Sequence, residues 1–354
     1  MFIGLALCSC GSSDQESAQI STTDLTPSKS APNPEINVKP APADSALENS
    51  TPLTTLYLNL AQQHFNSTCS AVIQLQQTMQ QFVLQPSEKG LNKMKAEWLT
   101  SHHHYASTQF FRNINIKHPV YDQSKNDPVQ HPLTIRIDQT PLLPGYIDEI
   151  KGYPKSGYIF STLPIDRETV NKEHQFADSA YVLMGFHAIE FLLWGEGNRT
   201  YQGFSPLPST LQEGDDESPA LFNIRRSELL SLTTNVLAED LSTLCKEWDM
   251  DTGFYATTLK ALTTEEQDAA INAATEQLIS SLQINTAKIR QATDNNEESI
   301  KIEPHSEFSN SDEGDIKAQI SVLKALVDSN EWLEAGKQQE HTKKLTQLAK
   351  ALLL

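Results

Sequence analysis

A histidine and a glutamate stand one helical turn apart in an otherwise apolar segment. They are His187 and Glu190, which lie within the run Gly185–Gly195. Residues i and i+3 share one face of a helix, so both side chains can point into one small volume. An ionised carboxylate is rarely buried without a partner, because removing a charge from water is costly. We therefore expect a metal ion or a cationic group beside Glu190, and we predict that His187 and Glu190 bind a metal.

Two ligands fall short of the three or four that hold most protein-bound metals, so further donors are needed. The chain offers three consecutive histidines at 102–104 and a later one at His305. Consecutive residues of a helix face different directions, so at most one or two of the first three can reach a common site. We predict His102 and His305 as further candidate ligands. Arg199 and Arg226 could instead balance the carboxylate, which leaves a metal-free His–Glu pair as the alternative.

The string from Gly185 to Gly195 closely resembles the Gly-x-His-x-x-Glu signature of the imelysin-like family, peptidase family M75. Three further stretches carry the same resemblance. Residues 97–112 resemble the family's early Trp…Tyr-x-x-Thr…Phe-Arg helix, and residues 305–310 resemble its late His-Ser-x-Phe-Ser-Asp segment. Residues 225–248 fit its central helix. The resemblance covers most of residues 53 to about 325.

This resemblance implies a site in a cleft between two helical bundles and an association with bacterial iron uptake. The residues that would line the cleft are Trp98, Tyr105, Gln109, Arg199, Arg226 and Ser309. Family members commonly carry arginine at the position of His102 and glutamate at the position of Gln109. Because this chain has a neutral pair where its relatives have a charged pair, their site chemistry does not carry over strictly.

The leading hypothesis is a cell-envelope lipoprotein that binds a metal through His187 and Glu190 as part of bacterial iron uptake. It would bind iron, zinc or another divalent metal, or a small iron-containing ligand. Its partners would be iron-transport components of the envelope. Imidazole and carboxylate ligands suit such borderline ions.

Two alternatives remain open. The first is a metal-dependent envelope peptidase of the M75 type, with His187 and Glu190 as its catalytic candidates. It is disfavoured, because no His-Glu-x-x-His helix is present and no general base remains if Glu190 is a ligand. The second is a non-metal ligand-binding module in which the His–Glu pair is structural.

The amino-terminal residues resemble the end of a bacterial lipoprotein signal. Residues 1–10 give a short apolar run and then Leu-Cys-Ser-Cys, which makes Cys10 the candidate lipidated residue. A charged start and a full-length apolar region are missing, which favours a sequence that begins inside a longer signal. Residues 11–52 are rich in Ser, Thr, Pro, Ala and Asp and predict a disordered tether. We expect a lipid anchor to a membrane, with the protein facing the periplasm or on the outer membrane.

Charge and cysteine content narrow the partners and the compartment. The net charge of −18 argues against a nucleic-acid partner, because phosphate binding needs clustered Lys and Arg. In an oxidising envelope compartment Cys69 and Cys245 could form a disulfide. They could equally be small buried apolar side chains, because the sequence does not fix the Cβ geometry that decides between the two.

The elements that must position these residues are helices. Apolar residues recur at helical spacing beyond residue 53, and no alternating strand pattern occurs. A first helix is predicted at 53–86, and a second begins after the N-cap Ser87 and runs through Trp98 to Phe110. Further helices are predicted at 166–194, 221–248, 252–262, 265–292, 315–326 and 332–353. The proline-containing stretches 113–165 and 201–218 predict connections. The class is therefore all-α, and the resemblance adds two packed bundles within residues 53–354, split near 200–220.

Overall fold

The computed structural model describes residues 50–118, 132–205, 219–293 and 304–353. All of these belong to one compact unit, Pro42–Leu354. Within them the chain forms helices and no β-strand, so the predicted all-α class is confirmed for the described residues. The predicted lipidation site Cys10 and the predicted tether up to residue 49 lie outside the described residues.

Thirteen α-helices and two short 3₁₀ helices follow one another in the described ranges. The α-helices are α1 (Pro52–Leu84), α2 (Glu88–Ser107), α3 (Gln109–Arg112), α4 (Pro132–Ile137), α5 (Pro144–Ile147), α6 (Arg167–Glu173), α7 (Phe186–Trp194), α8 (Pro219–Glu247), α9 (Phe254–Ala261), α10 (Thr264–Thr293), α11 (Asp312–Val327), α12 (Asn330–Gln338) and α13 (Glu340–Leu353). The 3₁₀ helices are Tyr158–Phe160 and Tyr201–Phe204.

The first two helices begin where hydroxyl side chains can cap them. The Thr51 side chain accepts a hydrogen bond from the Thr54 amide, and Pro52 occupies the first turn of α1, where its missing N–H costs nothing. The Ser87 side chain accepts from the Gly90 amide at the start of α2, as the sequence predicts. These caps fix the ends of the long α1–α2 pair.

The predicted helix over 166–194 is wrong as a single element. Helix α6 ends at Glu173 and α7 begins at Phe186, because the chain between them takes conformations that no α-helix contains. Gln175 has a φ of 59° and Gly185 a φ of 90°. Since α7 starts just after Gly185, His187 lies in the first turn of a short separate helix.

The predicted helix over 332–353 is also divided. Helices α12 and α13 meet at Gln339, whose φ of −127° and ψ of 118° are those of an extended residue. The two helices pack against each other beyond this break. The periodic pattern alone does not reveal it, because both halves keep their apolar spacing.

The described helices pack in two sets. In the first, α1 packs along α2 and α8, and α7 packs against α2 and α8. In the second, α10, α11, α12 and α13 pack on one another, and α11 joins the sets by packing on α2. Three tryptophans, Trp98, Trp248 and Trp332, are fully buried in the apolar core. The predicted boundary near 200–220 falls mostly on residues 206–218, outside the described residues, and stays a prediction.

A disulfide joins α1 to α8. Cys69 and Cys245 are bonded, with Cα atoms 6.7 Å apart, a separation that allows the bond without backbone movement. The bond links positions 176 residues apart in sequence. It therefore ties the helix that supports α2 to the helix that supports α7.

No helix in the described part of the chain is both long enough and apolar enough to span a bilayer.

Candidate metal centre

Four metal-ligating side chains converge on one point. His102, Asp138, His187 and His305 each offer one donor atom, and these four atoms lie within 4.8 Å of one another. Asp138 is at their centre: its Oδ1 lies 3.0 Å from His187 Nε2, 3.2 Å from His102 Nε2 and 3.3 Å from His305 Nε2. His187 Nε2 and His305 Nε2 are themselves 3.3 Å apart. Three imidazole nitrogens and one carboxylate oxygen thus face a common centre.

Glu190 lies behind His187 and outside this set of four. Its Oε2 is 2.9 Å from His187 Nδ1, the ring nitrogen that faces away from Asp138. Its Oε1 accepts hydrogen bonds from the amides of Phe308 and Ser309, at 3.1 and 2.7 Å, and from the Ser309 hydroxyl at 2.7 Å. We predicted Glu190 as a ligand; in the structure both its oxygens are engaged, and its position is that of a residue that orients His187.

His102 has a carboxylate behind it in the same way. Its Nδ1 lies 3.1 Å from Asp315 Oδ1, while its Nε2 faces Asp138. The ring stacks on Trp98 at a centroid distance of 4.7 Å, which fixes its plane. The next histidine, His103, is 3.8 Å from the same Asp315 oxygen and is a third exposed. Of the three consecutive histidines, only His102 reaches the centre, as the helical spacing predicts.

His305 completes the set from the segment before α11. Its Nδ1 lies 3.3 Å from the Thr140 hydroxyl, and its Nε2 faces Asp138 and His187. In all three histidines, therefore, Nδ1 lies within 3.3 Å of a polar atom outside the centre and Nε2 points inward. That arrangement is typical of histidines that bind metals through Nε2.

Asp138 reaches the centre because α4 lies directly against Gly185. Asp138 follows the last residue of α4, and its amide donates to the Thr134 carbonyl at 3.2 Å. A Cβ atom on Gly185 would lie 2.6 Å from the Ile137 carbonyl oxygen and closer still to that of Arg136. Gly185 also has a φ of 90°, which glycine adopts without strain. The glycine of the motif is thus the residue that lets α4 bring Asp138 next to His187.

The electrostatics of the centre favour positive charge. Burial opposes the charged form of His102, but Asp315 and Asp138 outweigh it and hold the pKa of this imidazole well above its usual value. Burial also opposes charge on His187, whose pKa Asp138 and Glu190 nevertheless raise. Burial would raise the pKa of Asp138, but the three surrounding imidazoles hold it well below its ordinary range. Among described residues, Asp138, Glu190 and Asp315 pair with histidines, serines and backbone amides, and with no lysine or arginine.

The aromatic residues predicted to line the site pack beside it. Trp98 is fully buried, and its Nε1 donates to the Phe186 carbonyl at 2.9 Å, so it ties α2 to the start of α7. Tyr105 is also buried; its ring packs against Phe186 and lies 4.0 Å beneath the Arg112 guanidinium. Both support the centre without supplying a ligand atom to the set of four.

Gln109 belongs to a neighbouring polar network. Its Oε1 accepts from Gln319 Nε2 at 2.6 Å, and its Nε2 donates to the Ser281 hydroxyl at 3.3 Å. These contacts connect α3 to α11 and α10. The structure thus gives Gln109 a role in joining helices.

Arg199 and Arg226, which the sequence left as alternative counter-charges for Glu190, pair with a different carboxylate. Both are paired with Asp148, which is fully buried just after α5. Arg226 holds this carboxylate through Nε and Nη2, at 2.5 and 2.9 Å, and Arg199 Nη2 donates to it at 2.7 Å. No sequence pattern indicates this pairing, because Asp148 lies in the stretch predicted as a connection.

Replacing Asp148 by asparagine should lower the free energy of unfolding at pH 7 by about 3 kcal/mol, because the buried Arg226 and the largely buried Arg199 lose their counter-charge. Burial raises the pKa of Asp148, but Arg226 and Arg199 outweigh it and hold this pKa below its usual value. The stabilisation is therefore present above the ordinary carboxyl pKa and is lost as the pH falls through the lowered value.

Urea unfolding of the wild type and of Asp148→Asn, measured from pH 7 downwards, tests this. The difference between the two proteins should shrink in acid. The exposed Asp328→Asn serves as the control and should change little. A difference that stays constant with pH would contradict the electrostatic explanation.

The fold and the site together define the class of this protein: it is all-helical and has a candidate metal centre. A family model for imelysin, peptidase M75, matches residues 61–351. The protein belongs to the imelysin family, as the string Gly185–Gly195 predicts. No curated protein matches the chain.

Proposed function

We propose that this protein binds one divalent transition-metal ion, iron(II) or zinc, through His102, Asp138, His187 and His305. The observation that carries the proposal is the convergence of their four donor atoms within 4.8 Å. Imidazole nitrogen suits zinc, copper, iron and nickel, and one carboxylate oxygen is compatible with each. A nitrogen-rich set of this kind favours borderline divalent ions over the hard cations calcium and magnesium, which prefer oxygen ligands.

The surroundings of the four residues fit such an ion. Glu190 and Asp315 lie behind His187 and His102, at 2.9 and 3.1 Å, where they hold the rings with Nε2 inward. Together with Asp138 they place three carboxylates around one small volume. A bound divalent cation would offset much of this charge, and the carboxylates behind the histidines would increase the basicity of the ligands.

We propose further that the protein acts in the bacterial cell envelope, as a lipoprotein that binds iron during iron uptake and passes it to envelope transport components. Membership of the imelysin family and the resemblance of residues 1–10 to a lipoprotein signal support this role. The bond between Cys69 and Cys245 agrees with an oxidising compartment. Zinc, another divalent metal or an iron-containing ligand is the alternative cargo.

The geometry favours binding over hydrolysis. A catalytic zinc commonly has three protein ligands, an open position for water and a separate general base. Here four donors converge, and the oxygens of Glu190 are taken up by His187, Phe308 and Ser309. The carboxylate of Glu190 is therefore not free to act as a general base, so a peptidase is the weaker candidate.

Metal analysis of the purified, chelator-stripped protein tests the proposal. The protein is loaded with zinc, or with iron(II) in the absence of oxygen. We expect about one ion per chain in the wild type and none in His187→Ala at the same metal concentration. In Glu190→Ala the affinity should be about 10- to 100-fold weaker. His64→Ala is the matched control, since His64 bonds to Ser107 away from the centre and should leave the stoichiometry unchanged.

Three outcomes would contradict the proposed centre or favour another function. Equal metal content in the wild type and His187→Ala would contradict the proposed centre. If neither binds metal and Glu190→Ala only lowers the melting temperature, the His–Glu pair is structural. Chelator-sensitive peptide cleavage that is lost in Glu190→Gln would favour the peptidase.

A further inference from the structure

One short segment contributes both a ligand and the contacts that hold the other ligands. Residues 304–311, here called the His305 turn, lie between the described part of α10 and α11. His305 itself is one of the four converging donors. The turn closes on itself through a hydrogen bond from the Asn310 amide to the Ser306 carbonyl, at 2.9 Å. Its backbone therefore forms a compact turn.

The turn docks on α7 mainly through Glu190. The amides of Phe308 and Ser309 and the hydroxyl of Ser309 all donate to Glu190 Oε1. The Phe308 ring packs beside Phe191 at a centroid distance of 4.9 Å. Glu190 Oε2 meanwhile holds His187. One carboxylate thus couples the docking of the turn to the orientation of a ligand.

The turn also contacts the carboxylate behind the second buried histidine. The Ser306 hydroxyl donates to Asp315 Oδ2 at 3.4 Å, while Asp315 Oδ1 faces His102 Nδ1 at 3.1 Å. The Ser306 amide donates to Asp312 Oδ1 at 2.8 Å, which connects the turn to the first residue of α11. Both carboxylates that orient histidines are therefore bonded by this segment.

The four donors differ sharply in exposure. The side chains of His102 and His187 are 1 % exposed and that of Asp138 is 17 % exposed, but that of His305 is 42 % exposed. The three less exposed donors are carried by α2, α7 and the end of α4, which pack into the core. His305 is the most exposed of the four donors, and it lies on an element held mostly by hydrogen bonds.

We propose that the His305 turn is the element that closes over the metal ion and opens to release it. With the turn docked, four donors surround the ion; with the turn undocked, three remain and one position opens to water or to an acceptor. Because the turn also holds Glu190 and Asp315, undocking loosens His187 and His102 as well. This inference rests on the metal binding proposed above.

Amide hydrogen exchange of the full chain tests the closure. If the docked form binds zinc far more tightly than the undocked form, zinc at a hundred times its Kd shifts the docking equilibrium by up to about a hundredfold. We therefore expect exchange of the Phe308 and Ser309 amides to slow at least about tenfold on zinc addition. Amides at the exposed end of α1 near Leu84, which exchange by local fraying and not by global unfolding, should exchange at unchanged rates.

Ser309→Ala tests the coupling kinetically. It removes the hydroxyl that donates to Glu190 Oε1 at 2.7 Å but leaves all four donors in place. Zinc transfer to an excess of chelator should become about tenfold faster, with little change in the rate of zinc uptake. Thr100→Ala is the control, because its exposed hydroxyl bonds only within α2 and its rates should equal those of the wild type.

The outcomes separate this inference from the proposed function. If the protein binds one zinc per chain but the amides of residues 308 and 309 exchange at the same rate with and without zinc, the closure is overturned and the metal centre is kept. Wild-type release rates in Ser309→Ala would overturn the coupling. Failure of the wild type to bind either zinc or iron(II) would overturn the proposed function and this inference with it.

Discussion

Zinc affinity should fall by at least about 100-fold when Asp138 is replaced by asparagine. Asp138 Oδ1 is the atom that all three histidine Nε2 atoms approach, at 3.0 to 3.3 Å. Asparagine keeps the shape of the side chain but removes the negative charge and offers a much weaker ligand. Loss of a residue that only orients a ligand already costs about 10- to 100-fold in affinity, so loss of the charged ligand should cost more.

Isothermal titration of the stripped protein with zinc measures this effect. Asp328→Asn, an exposed residue after α11, removes the same charge far from the centre and should keep the wild-type affinity. The helical content of Asp138→Asn should stay that of the wild type, which separates loss of the ligand from loss of the fold. Wild-type affinity in Asp138→Asn would show that the four-donor cluster is not where zinc binds.

The position of Asp138 next to His187 could not be predicted from the sequence. The pairing of His187 with Glu190 follows from their spacing on one short helix, and the structure has their atoms 2.9 Å apart. Asp138 has no such signal, because it follows a six-residue helix in a proline-containing stretch. It meets His187 only because α4 packs on Gly185, the residue before α7.

The role of Glu190 could not be read from its spacing either. Position i+3 brings a carboxylate near His187 but does not decide whether it faces the ion or stands behind the histidine. That depends on the amides of Phe308 and Ser309, which occupy Oε1 and lie more than a hundred residues away in sequence. For the same reason Asp315, predicted only as the start of a helix, was missed as the partner of His102.

The positions of the helices were predicted better than the breaks that divide a long apolar pattern into two helices. The starts of α1 and α2 carry local capping signals at Thr51 and Ser87, which a sequence displays directly. The break between α6 and α7 depends on backbone conformations at Gln175 and Gly185. Those conformations are selected by tertiary packing, and the apolar spacing continues across the break.

Gly185→Ala should combine a large loss of stability with a loss of zinc affinity. A methyl group there meets the Ile137 carbonyl oxygen at 2.6 Å and lies still nearer to that of Arg136. Alanine at a φ of 90° costs about 1–3 kcal/mol in strain, and forced overlap in a packed core adds about 1–3 kcal/mol. We therefore expect a destabilisation of about 4 kcal/mol in urea unfolding without metal.

Gly197→Ala is a closely matched control for this change. Gly197 also has a φ of 90°, but a Cβ atom there would have nothing within 4 Å. It therefore carries the backbone strain without the overlap and stands away from the four donors. Gly197→Ala should lose about 1–3 kcal/mol of stability and keep wild-type zinc affinity.

The comparison of the two glycines separates conformational strain from the placement of Asp138. Relief of the overlap in Gly185→Ala must move the α4 backbone away from α7, and Asp138 moves with it because it directly follows α4. Arg136 resists that movement, since its Nε donates to Asp240 Oδ2 on α8 at 2.7 Å. Zinc affinity of the folded Gly185→Ala protein should therefore fall about 10- to 100-fold, the range seen when a ligand is displaced from its orientation. Equal zinc affinities for the two glycine variants would mean that the motif glycine serves only the backbone turn before α7.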